Sequence, residues 1–296
     1  MSPGKFSFIF NIFFLSTFIF LLSCTKKEKN YFEAISLNDV KLSKPIPGEW
    51  RYDRDEKFQT FEDFQKMEKI KPEAGKNSIY LQPIGTFNDL QKKEIQLTQE
   101  YLKIYFQLET KVLPALSNDI FPKSVRRIFK DGQEQILAGY VLNNVLIKRK
   151  PKDAIVLMGI TERDLFPKPE WNYVFGLASY QDGVGVTSMY RFANGNLSES
   201  NFNKSLERLI KISSHEIGHM FGISHCLHAN CVMNGTNHLP ETDSHFARAC
   251  SFCQQKLSSS NKYNNKKRLI DLKQFFEKYH LNTELSRTQQ DVNLFE

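Results

Sequence analysis

The segment HEIGHMFGISHC, residues 215–226, constrains this chain more than any other. His215 and His219 are four residues apart, a spacing that puts both rings on one face of a helix about a turn apart. Two imidazoles so placed reach a single Zn²⁺ at about 2.0–2.1 Å. Glu216 stands beside the first of them, where its carboxylate addresses a water on the metal without binding the metal itself. A third ligand from a later turn of the same helix would misplace its ring, so the chain has to bend first. Gly222 permits the bend because glycine accepts a positive φ. His225 then closes a three-histidine set and leaves a fourth position for water, as an open catalytic site requires. A helix merely rich in histidine would not bring the glutamate, the glycine and the third histidine together at this spacing.

The cysteines form a second constellation. Of five in the chain, Cys24 stands apart, and Cys226, Cys231, Cys250 and Cys253 follow a C-x₄-C … C-x₂-C pattern. That spacing suits a closed, structural Cys₄ zinc site. Two disulfides are the competing outcome in an oxidising compartment. His225 and Cys226 are adjacent, and neighbouring side chains of an extended loop point to opposite sides. They are therefore expected to serve different ions, with the structural zinc on Cys226 holding the loop that presents His225. The expectation is two Zn²⁺ per chain, one catalytic and one structural.

The N-terminus reads as targeting rather than fold. Lys5 is followed by FSFIFNIFFLSTFIFLL and then Ser23 and Cys24. The run has signal-peptide length, and Asn11, Ser16 and Thr17 interrupt it as a spanning helix. LLSC resembles the lipobox of bacterial lipoproteins, in which the signal is removed and the cysteine acylated; a retained signal anchor is the alternative. The expected organisation is a signal at 1–23, lipidated Cys24 with a charged, flexible tether to 49, a catalytic body at 50–280 and a tail at 281–296. The body is expected outside the cytoplasmic membrane of a bacterial cell envelope, lipid-anchored to a bilayer and monomeric. The formal charge of +7 comes largely from dispersed lysines. Its denser runs, such as KRKPK at 148–152, lack interleaved stacking residues, so they read as solvated surface and no nucleic-acid partner is expected.

Along the body, strands are predicted over 78–85, 111–113, 153–161, 171–180 and 185–192, with a turn at Asp182-Gly183. Helices are predicted over 58–70, after an Asn88 cap, over 133–148, from Ser200 or Asn201 to Gly222, and over 267–279. This is an α/β (α+β) order, with a mixed sheet, an active-site helix and a small zinc-braced C-terminal part.

HEIGHMFGISHC, LHANCVMNGTNHLPETD and CSFCQQKL, with SIYLQPIG, GITERDLFP and WNYVFGLASYQDGVGV upstream, resemble the archaemetzincins, a branch of the metzincin zinc peptidases. The resemblance spans roughly residues 50–280. It implies a metzincin-like fold, catalytic zinc on His215, His219 and His225, Glu216 as general base, and a second zinc on the four cysteines. It also implies a Met-turn at Met233 beneath the imidazoles. By analogy, residues 175–179 are either a sheet edge that pairs with a peptide or protein substrate or an ordinary buried strand. The implied activity is peptide-bond hydrolysis. Two other readings stay open: an aminopeptidase whose amine anchor is Glu241 or Asp243, unless those carboxylates brace the zinc loop, and a non-enzymatic surface lipoprotein held by zinc.

Overall fold

Three adjacent strands buried at every position fix the centre of the molecule. The computed structural model of the protein describes residues 30–130, 132–262 and 264–296. In chain order the strands are β1 (Ser78–Ile84), β2 (Thr110–Val112), β3 (Arg126–Ile128), β4 (Glu134–Leu137), β5 (Ala154–Thr161), β6 (Asp164–Phe166), β7 (Gly176–Ser179) and β8 (Val184–Ser188). β1, β5 and β8 are buried at every position, which explains why SIYLQPI and AIVLMGIT read as continuous runs rather than alternating ones. They lie side by side in a five-stranded sheet of order β2-β1-β5-β8-β7. All its neighbours are parallel except β7, which runs antiparallel to β8 at one edge. A smaller sheet has the order β3-β4-β6.

Helices α1 (Asp89–Phe106) and α2 (Phe202–Met220) cover one face of the large sheet. Ile79 and Leu81 of β1 pack there with Tyr101, Leu102, Leu206 and Ile210. Tyr80, pointing the other way, packs with Leu142 and Leu146 of the helical stretch at 138–149. The mixed sheet and its active-site helix match the expected α/β (α+β) class. α1 begins as anticipated at Asn88, whose side chain accepts from Gln91 N at 2.9 Å while the Gln91 amide oxygen accepts from Asn88 N at 3.0 Å. After α2 come loops and then α3 (Ser251–Asn261), α4 (Asn265–Lys278) and α5 (Asn282–Asn293).

Several elements depart from the sequence expectation. The helical pattern at 133–148 starts as strand β4, because Gln135 pairs across the small sheet and its buried amide donates to Asp164 at 2.7 Å and to the Asn172 carbonyl at 2.9 Å. The helix expected over 58–70 is reduced to Phe61–Lys66, started by a capping box between Thr60 and Asp63. Strand β7 is shorter than the 171–180 segment.

Residues 30–40, within the expected tether, and the expected tail at 281–296 both pack against the body. Ile35 is fully buried, Tyr31 donates to Gln254 Oε1 at 3.0 Å, and Asn230 N donates to the Val40 carbonyl at 2.8 Å. Arg248, itself buried, bridges Asp39 (2.7 Å) and Asp291 (2.6 Å), so residues 30–40 and α5 clamp the same loop. These long-range ion pairs have no local signature, which is why charged flanks read as free chain. The proposed signal and Cys24 lie outside the described residues. Among the described residues, no helix is long and apolar enough to cross a membrane.

The α1–α2 interface that seats the active-site helix contains a buried carboxyl, Glu94, facing Ser205. Burial pushes it up to about 7, with the Ser205 hydroxyl pulling partly back. A carboxyl raised in the folded state contributes stability below its ordinary value, and that contribution is lost as pH rises through about 7. Glu94→Gln is therefore expected to narrow the fall in unfolding free energy between pH 5 and pH 8 by about 2 kcal/mol. Urea midpoints at the two pH values measure this, and equal falls in variant and parent would contradict it.

Candidate metal centres and active-site cleft

Helix α2 follows Asn201 and ends at Met220, after which Gly222 takes φ +86°. Gly222 N donates to the His219 carbonyl at 2.8 Å and Ile223 N to the Gly218 carbonyl at 3.1 Å, so the helix closes on a left-handed turn. The turn carries His225 back towards the helix. His219 Nε2 lies 2.9 Å from His215 Nε2 and 3.3 Å from His225 Nε2. Three ligands of a tetrahedral zinc at 2.0–2.1 Å would stand about 3.3 Å apart.

The other ring nitrogens decide whether these atoms suit a metal. His215 Nδ1 donates to the Val232 carbonyl at 2.8 Å and His219 Nδ1 to the Ile223 carbonyl at 2.7 Å. A carbonyl only accepts, so Nδ1 carries the proton in both rings and Nε2 is bare. His225 Nδ1 faces the Glu56 carboxylate at 2.7 Å, the same arrangement with a charged acceptor. Three lone pairs thus converge on one point, which is unfavourable without a cation. Burial, followed by the neighbouring His225, pushes His215 down to about 3, and burial lowers His219 as well. Both rings are neutral at pH 7, the form a metal requires. Burial works to raise the Glu56 carboxyl, but hydrogen bonds from His225 and Trp50 outweigh it and hold the group below the usual carboxylate range.

Glu216 points from α2 into the same space. It is buried, and burial pushes its carboxyl up to about 8. It fits there because the residue above it in β7 is glycine: a Cβ at Gly176 would overlap the Glu216 carboxylate, 2.8 Å from its Cδ. A second glycine inside the motif has a similar reason. Gly218 faces Met233, whose Cε would lie 3.0 Å from an added Cβ, so Met233 packs directly onto the helix between the metal-facing histidines. A cleft of about 710 Å³ opens in front of the triad, bounded by β7, the loop at 167–174, Trp50 and the loops after Val232.

The four cysteines also converge. Cys226, Cys231, Cys250 and Cys253 are buried and unbridged, with one sulfur from each within 4.8 Å of the others. Cys226 and Cys250 sulfurs are 3.5 Å apart, near the roughly 3.8 Å edge of a ZnS₄ tetrahedron and far from a disulfide bond of about 2.05 Å. Backbone N–H groups of Cys250 (3.2 Å) and Met233 (3.5 Å) point at Cys231 Sγ, which suits a thiolate. His225 and Cys226 fall into different clusters, as the sequence led us to expect.

The proposed amine anchors are not in the cleft as free carboxylates. Glu241 accepts from Trp50 N (2.9 Å) and Asn237 N (2.7 Å), and Asp243 is paired in two contacts with Arg208 (2.9 and 2.6 Å). Both brace the loop. Nothing in the sequence pointed to Glu56, Trp50 or Tyr180, whose hydroxyl lies 2.8 Å from His219 Nδ1, nor to the room Gly176 leaves for Glu216. Only Gly176 had a signal, as a glycine inside a strand pattern.

Comparison with known proteins agrees with this geometry. The model of Peptidase family M54 matches residues 141–259. Archaemetzincin-2 of Homo sapiens is 34% identical over 243 residues, 71% of this chain and 67% of that protein. The archaemetzincin of Thermococcus kodakarensis is 30% identical over 183 residues, 60% of this chain and 94% of that one. The crystal structure of an archaemetzincin from Methanopyrus kandleri superposes with a TM-score of 0.52 at 26% identity, covering 65% of this chain and 99% of that chain.

Metal analysis of the purified body is expected to return two zinc ions per chain, one of them resistant to chelation. One zinc with two disulfides would remove the Cys₄ site. Gly176→Ala is expected to keep both ions and lower kcat by about 100-fold, because it displaces Glu216 by ångströms. An unchanged kcat would show that the glycine has no part in placing the carboxylate.

Proposed function

The chain belongs to the archaemetzincins, peptidase family M54, and is a zinc metallopeptidase; from that premise we propose that it cleaves peptide bonds in the cleft between β7 and α2, with Glu216 as general base. The observation that carries the reading is the convergence of three bare Nε2 atoms beside a buried carboxylate under an open sheet edge. His215, His219 and His225 would hold the catalytic zinc, and Cys226, Cys231, Cys250 and Cys253 the structural one. When bound, the catalytic zinc supplies acidification of a water and polarisation of the scissile carbonyl.

The remaining work belongs to the protein. Glu216 takes the water's proton on its carboxylate and passes it to the leaving amine. Its burial favours the protonated form more than in solution, which helps it hold that proton between the two steps. Strand β7, at the edge of the sheet, offers backbone groups to which an extended substrate adds as a further strand. A substrate strand paired there would lay its scissile bond across Gly176 and Glu216.

Endopeptidase action on peptide or protein substrates fits better than the aminopeptidase reading. Both carboxylates offered for a substrate amine already accept internal hydrogen bonds. Among the described residues, Glu170, exposed at the rim, is the one carboxylate besides Glu216 that lines the cleft. The lipobox-like LLSC supports a lipid anchor at Cys24 and a place for the enzyme in a bacterial cell envelope, outside the cytoplasmic membrane.

Glu216→Gln is expected to retain both zinc ions and to lower kcat by about 10²–10⁴-fold or more. Near-parental turnover would exclude Glu216 as the base. Peptides with an acetylated amine are expected to be cleaved as well as free ones, and their complete resistance would move the assignment to an aminopeptidase.

A further inference from the structure

We propose that Glu56 is a positioning residue for the third imidazole, and that the segment at 48–58 is in consequence part of the active site. This rests on the reading of His215, His219 and His225 as the catalytic zinc site. Glu56 and Trp50 lie outside the residues matched by the family model, 141–259.

The three imidazoles are not anchored alike. Those of His215 and His219 are tied to main-chain carbonyls within 17 and 4 residues of them, Val232 and Ile223. His225 stands on a loop, and its Nδ1 meets a side chain 169 residues away, Glu56 Oε1 at 2.7 Å. A carboxylate is a stronger acceptor than a carbonyl. In that role it fixes the tautomer and the ring plane and raises the basicity of Nε2.

Glu56 is itself held. Its Oε2 accepts from Trp50 Nε1 at 3.0 Å, and the Trp50 ring packs edge-on against His225 with centroids 4.8 Å apart. Trp50 N donates to Glu241 at 2.9 Å, and the other Glu241 oxygen accepts from Asn237 N at 2.7 Å. Gly235 leaves room for the indole, since a Cβ there would come within 2.5 Å of it. Arg54 lies over Trp50 (5.1 Å) and over Trp171 (4.6 Å), joining the segment to the loop across the cleft mouth. A chain of contacts therefore runs from the loop after Met233, through Glu241 and Trp50, to Glu56 and His225. None of these contacts is made by a cysteine side chain.

The test is the zinc dissociation constant of the more labile ion, measured on the full chain by chelator competition for the parent, Glu56→Ala and Glu56→Gln. Glu56→Ala is expected to weaken that ion by about 10–100-fold. Glu56→Gln, which keeps the shape and an acceptor oxygen but not the charge, is expected to fall between. The second zinc stays in place in both. Melting curves separate a structural role: lower melting temperatures with parental zinc affinity in both variants would overturn the proposal. A parent chain holding only one, chelation-resistant zinc would overturn both the proposal and the reading beneath it, whereas two ions with parental affinities in the variants would overturn the proposal alone.

Discussion

The peptide bond between His225 and Cys226 is the constraint on which the site depends. One side of it faces the imidazole cluster and the other the sulfur cluster, so both clusters are carried by one stretch of backbone. The bend that brings this dipeptide back to the helix is the left-handed turn at Gly222. A side chain at that position would favour a negative φ and carry His225 away from the triad. The backbone geometry of one turn thereby decides whether a third ligand exists.

The sulfur cluster does more than close a loop. Val232, whose carbonyl orients His215, lies between Cys231 and Met233, and Cys226 N donates to the Met233 carbonyl at 2.7 Å. Val232 N in turn donates to the carbonyl of Arg248, the residue clamped by Asp39 and Asp291. The path from the outer helices to the catalytic imidazoles thus runs through main-chain hydrogen bonds of the cysteine loop. A second support acts midway along α2, where Lys211, one turn before His215, is buried against Glu284 of α5 at 3.0 Å. Breaking such a buried pair costs about 3–5 kcal/mol because one charge is left uncompensated. The C-terminal helix is thus energetically tied to the catalytic one.

What was legible in the sequence was local or carried by rare residue types. Spacing of four on a helix, a glycine before the third histidine and short cysteine intervals each have a direct geometric meaning, and the structure places His215, His219, His225 and the four cysteines accordingly. Continuous apolar runs marked β1 and β5. Contacts made at long range were not legible. Glu56 and Trp50 look like one more acidic and one more aromatic residue in a charged stretch, and only the fold brings them to His225. Residues 30–49 fall in the expected tether and 281–296 in the expected tail, and they are held by Arg248 and Lys211, whose partners are 209, 43 and 73 residues away. Strand β4 was hidden for a similar reason, since its pairing with β6 comes from another part of the chain.

Anomalous diffraction at the zinc edge from crystals of the zinc-loaded protein tests the division between the two clusters most directly. Two zinc peaks are expected, one among the Nε2 atoms of His215, His219 and His225 and one among the four cysteine sulfurs. A single peak, or one ion bound by both His225 and Cys226, would contradict that division.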